Sequence, residues 1–148
     1  MKRKLTWSIF WALVGIFVVI VSVFFIPAAR ELLMGFLFII ISGAAFFLLG
    51  VALIILTVKE KVRGTLKKFL LLTGASAAGF FVFVFLHNAF YGLGIMTSHI
   101  TVLSRSMEVF HVAFFIMAIL VCPIGFLVGA IGSVTLRILT RLKSKAES

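Results

Sequence analysis

Four stretches free of acidic residues, lysine and arginine fix what this chain can fold into. They run over 5–29, 32–58, 69–104 and 109–136. A helix needs about 20 apolar residues to cross a hydrocarbon core about 30 Å thick, and each stretch is longer than that. The third is interrupted near its end by His87, Asn88 and a polar patch. Charged residues make up 12% of the chain, against roughly 25% in a soluble domain. A water-soluble fold would leave too much apolar surface bare. The sequence therefore predicts an all-α integral membrane protein, a single domain over 1–148. Its four transmembrane helices are expected at about 5–26, 32–58, 69–93 and 107–139, in an antiparallel up-down bundle.

The charges set the expected orientation. The chain has no aspartate, and its four acids, Glu31, Glu60, Glu108 and Glu147, stand at or beyond the ends of apolar runs. Of its fourteen basic residues, only Arg30 and Arg105 fall on one side of the expected bundle. The other twelve are Lys2, Arg3, Lys4, Lys59, Lys61, Arg63, Lys67, Lys68, Arg137, Arg141, Lys143 and Lys145. Basic residues mark the cytoplasmic side, so both termini are expected there, in a multi-pass protein of the plasma (cytoplasmic) membrane. A net charge of +10 can signal nucleic acid, but here the charge lies beside apolar runs, which argues for lipid and against nucleic acid. Lys59, Lys61, Arg63, Lys67 and Lys68 form a dense basic loop suited to anionic lipid on the cytoplasmic face; a plain topology anchor explains it equally.

A basic head before the first run resembles a secretion signal. Residues 5–26, however, give 22 uncharged positions, against about 7–15 in a signal core, and a retained helix is expected. Trp7 and Trp11 suit the headgroup layer. Pro27 ends helix 1, and Glu31 complements the positive end of helix 2. Gly74, Ala78 and Gly79 in helix 3, and Gly125 and Gly129 in helix 4, provide the small faces that let membrane helices approach closely. An outer loop is expected at about 94–105, with Ser106 capping helix 4. Pro123 predicts a kink near 119–123, where a backbone bond to residue 119 is lost. Cys122 reads as a small apolar side chain.

One constellation stands apart from packing. His87 and Tyr91 share a face of helix 3, and Glu108 and His111 share a face of helix 4. Folding the hairpin about residue 99 sets His87 opposite His111. From Lys68 to His87 is 19 residues, about 28 Å, and from Arg137 to His111 is 26 residues, about 39 Å. If both basic residues mark one boundary, the histidines differ in depth by about 10 Å. The four side chains fit either a structural polar cluster or a site for a metal ion, a haem, a quinone or a proton relay. They single out no cofactor. One Glu-x-x-His falls short of a di-metal carboxylate site.

No nucleophile–base pair and no phosphate loop is visible. The middle of helices 1 and 2 carries no ionisable group, which disfavours an ion-coupled transporter. The leading expectation is a non-enzymatic scaffold, accessory subunit or homo-oligomer. The alternative is a membrane redox or metal/haem-binding protein using His87 and His111.

Overall fold

The computed structural model describes residues 2–26 and 36–146. The turn at Pro27–Glu31, the basic residue Arg30, the first positions of helix 2 including Gly35, and Glu147 lie outside the described residues. All regular structure within them is helical: α1 (Lys2–Phe25), α2 (Phe36–Lys59), α3 (Gly64–Met96), α4 (Thr101–Ile116) and α5 (Cys122–Ala146). A π-turn, Met117–Val121, joins α4 to α5, so these form one continuous helical segment. By length and composition four segments can cross a membrane: Lys4–Val23, Ile40–Lys59, Gly64–Met96 and Thr101–Ala146.

α3 is the central element. It packs against α2 on one side and against the α4–α5 segment on the other, while α1 packs against α2. Glycines set both crossings. A methyl group placed on Gly50 would lie 2.8 Å from the carbonyl oxygen of Gly74 and 2.9 Å from the amide nitrogen of Ala78. One on Gly129 would lie 2.5 Å from Thr73 Oγ1, 2.7 Å from Thr73 N and 2.9 Å from Phe69 O. Backbone therefore faces backbone at both places, and only a missing side chain permits it. Gly125 backs onto Ser76, while Gly79 meets Cys122 at an ordinary 3.4 Å.

The core lies towards the ends that carry the basic residues. Phe10 and Leu13 of α1, Phe46 and Leu53 of α2, Leu70 and Ala77 of α3 and Phe126 of α5 are buried together, with Val62 inserted from the α2–α3 turn. Phe17 stacks on Phe126 with ring centres 4.5 Å apart, and Phe46 lies 5.3 Å from Phe126, so three helices share one aromatic cluster. Two polar contacts close this end. Buried Thr6 donates to the Glu60 carboxylate at 2.7 Å, and the Arg137 guanidinium lies 3.8 Å from the centre of the Trp7 ring. The hydroxyls of Thr57 and Ser133 are buried with no hydrogen-bond partner among the described residues.

Several expected boundaries shift. The outer loop is not 94–105 but 97–100, because α3 continues to Met96 and α4 starts at Thr101. Polar side chains that read as loop formers bond their own helix instead: Thr97 donates to Leu93 O and Ser106 to Val102 O. Such back-bonding satisfies a hydroxyl within a helix. Ser106 is therefore inside α4, and Ile100 occupies the cap position. Glu108 is likewise outside the first turn of α4, which holds no acidic residue. The expected lysine-rich loop shrinks to the tight turn at 60–63, with Lys61 at φ 50°.

At Pro123 the helix takes up its missing donor through the π-turn, in which the Cys122 N–H bonds to Met117 O, five residues back. Proline has no N–H to offer Ile119, and a π-turn re-routes neighbouring bonds without breaking the helix.

Candidate functional site

The α3–α4 hairpin pairs residues in reverse order. Thr73 meets Gly129, Ser76 meets Gly125 and Gly79 meets Cys122. Further along, Phe83 stacks on Phe114, His87 meets His111 and Phe90 meets Phe110 with tilted rings, and Gly94 meets Met107. This register removes most of the expected mismatch in depth. Lys68 stands level with a position near Ser133, one turn or about 6 Å from Arg137. The two basic residues do not mark one plane, and no kink is needed to bring the histidines together.

His87 sits on α3 and His111 on α4, both half-buried, with ring centres 5.0 Å apart and planes at 31°. His87 Nδ1 is 2.9 Å from the backbone oxygen of His111, and His111 Nδ1 is 3.0 Å from the backbone oxygen of Glu108. The cross-helix bond thus reaches the main chain of α4. A carbonyl oxygen only accepts, so both Nδ1 atoms carry the hydrogen. In the neutral rings each Nε2 keeps its lone pair.

Tyr91 is exposed, with its ring 5.5 Å from that of His111. The Glu108 side chain is exposed. No group of three or more histidine, cysteine or acidic side chains able to hold a metal occurs among the described residues. The pair is walled by Phe115, whose ring lies 5.2 Å from that of His87, a neighbour that sequence reasoning passed over. A haem held axially between two histidines puts the ring centres about 6.4 Å apart on opposite faces of the iron. The 5.0 Å spacing here does not suit that arrangement.

The basic residues Lys59, Lys61, Arg63, Lys67 and Lys68 are all exposed around the α2–α3 turn. Sequence reasoning missed the Thr6–Glu60 and Trp7–Arg137 contacts at the same end. Trp7 reads as a headgroup aromatic and Glu60 as a loop charge; only the packing of α1 beside α2 and α5 brings them to their partners.

Four long apolar helices define a multi-pass integral membrane protein. Compared with known proteins, the chain matches no family model, no curated protein and no solved structure.

Proposed function

We propose that this chain is a non-enzymatic membrane scaffold or accessory subunit: one antiparallel bundle of four spanning helices, with both termini in the cytoplasm. The twelve-to-two distribution of basic residues supports the orientation. The plasma membrane is the proposed location. There the five exposed basic residues in and beside the α2–α3 turn would meet anionic lipid.

One observation carries the accessory role. α3 has 33 residues, about 50 Å of helix, and the hydrocarbon core is about 30 Å thick. Counted outward from Lys68, the core ends near residue 88, and α3 continues about 12 Å further. The arm beyond that point interleaves polar residues with large apolar side chains that nothing covers. Val102 is 81% exposed, Met96 74% and Val109 64%, and no residue of α4 is buried. Apolar surface at headgroup depth gains from a protein partner what lipid tails supply deeper in the membrane.

A photo-crosslinking residue placed at Val102 or Val109 tests this in native membranes. The expected product is a discrete adduct to another membrane protein, with lipid adducts alone from Ile124 and Val128 at mid-depth. An adduct between two copies of the chain would make it a homo-oligomer. Lipid adducts alone from Val102 and Val109 would refute the accessory role.

A further inference from the structure

We propose that His87 and His111 form an open, two-histidine binding site for a divalent transition-metal ion of the zinc, nickel or copper class. Neutral imidazole nitrogens suit these ions. Such a histidine commonly donates its other ring N–H to a backbone carbonyl, which fixes the ring and leaves Nε2 to bind. Both rings are held in this way here, His87 through Nδ1 to His111 O and His111 through Nδ1 to Glu108 O. The pair is tied across two helices before any ion arrives, so binding requires little ordering.

The spacing also agrees. Two imidazoles bound to one tetrahedral ion at about 2.0–2.1 Å place their ring centres about 5.2 Å apart. The observed separation is 5.0 Å. With no third histidine, cysteine or carboxylate in reach among the described residues, water fills the remaining positions, as in zinc sites that keep an open position. The half-buried pair stands at the outer boundary of the core, near residue 88, where water of the headgroup layer can reach the ion. Exposed Glu108, one turn away, adds negative charge, and exposed Arg105 opposes it.

The two rings can be separated experimentally. Among the described residues the His111 ring bonds the main chain of its own helix, whereas the carbonyl that accepts from His87 belongs to the backbone of residue 111. His111→Ala therefore removes a ligand and keeps the bond between helices.

The test is calorimetric titration of zinc into the detergent-purified full chain, carrying a tag without histidines. Saturable binding of one ion per chain is expected. His111→Ala and His87→Ala should each weaken it at least tenfold, and His99→Ala, in the exposed outer turn, should leave it unchanged. His111→Ala should lower the thermal midpoint of the metal-free protein less than His87→Ala, since it loses ring contacts with His87 and Tyr91 but keeps the bond between helices. Copper(II) should give an electron paramagnetic resonance spectrum with two coupled imidazole nitrogens, reduced to one in His111→Ala. Absence of saturable zinc binding, equal affinity in His111→Ala, or loss of binding in His99→Ala would overturn the proposal. If His87→Ala does not fold, His111→Ala and the copper spectrum decide it alone.

Discussion

Gly129→Ala adds one methyl group where α5 meets the backbone of α3. That carbon would sit 2.5 Å from Thr73 Oγ1, 2.7 Å from Thr73 N and 2.9 Å from Phe69 O, whereas ordinary contact begins at 3.4 Å. The hydroxyl can rotate away, although it would lose its 2.9 Å bond to Phe69 O. The two backbone atoms cannot. Relief requires α5 to move from α3 by roughly 0.5–0.7 Å, and a gap of that order forfeits a quarter to a half of each dispersion contact along the interface. Overpacking of this kind costs about 1–3 kcal/mol. The substitution gains at most about 1 kcal/mol of helix propensity, a value measured in water. Net destabilisation of about 1–2 kcal/mol follows, a five- to thirty-fold fall in the folded-to-unfolded ratio. Gly15→Ala is the control, because nothing lies within 4 Å of its new methyl, and it should be neutral or slightly stabilising. Unfolding in mixed detergent micelles, followed by circular dichroism, compares the two. Gly129→Ala as stable as Gly15→Ala would mean that α3 and α5 do not approach as described.

Other substitutions probe independent contacts. Gly50→Ala should behave like Gly129→Ala, since its methyl would press on Gly74 O and Ala78 N; the same unfolding assay applies, and the two effects should add where their interfaces are separate. Thr6→Val keeps the shape of a fully buried side chain but removes the donor to Glu60, so a loss of about 1 kcal/mol is expected, with a double-mutant cycle against Glu60→Gln as the check. Trp7→Leu removes the ring under Arg137, and a double-mutant cycle with Arg137→Gln should give a coupling of about 1 kcal/mol, beyond the packing against Phe10 that Trp7→Leu loses in either background.

The spans were legible in the sequence because charge is so scarce that its positions alone bracket them. The small faces were legible too: Gly74, Gly125 and Gly129 all stand at helix crossings. What the sequence obscured has a common cause, that local chemistry has two uses. Thr97, Ser104 and Ser106 are loop formers by type, yet each bonds a carbonyl of the hairpin, so the helices extend through a region that reads as loop. Pro123 signals a disturbed helix but not its form, since kink and π-turn both answer a missing donor. The encounter of His87 with His111 followed from hairpin symmetry, whereas its partner atom, a main-chain oxygen, is set by helix rotation that no residue type encodes. The same holds for Thr6 with Glu60, 54 positions apart.

Single-cysteine labelling separates a four-span protein with both ends in the cytoplasm from the inverted or three-span alternatives. In a Cys122→Ala background, one thiol is placed at Ser98 in the turn between α3 and α4, and in a second protein at Ser144 near the end of α5. Intact cells are treated with a membrane-impermeant maleimide. The thiol at 98 should react at once, and the thiol at 144 only after the membrane is permeabilised. The reverse pattern, or immediate reaction at both positions, would contradict this topology.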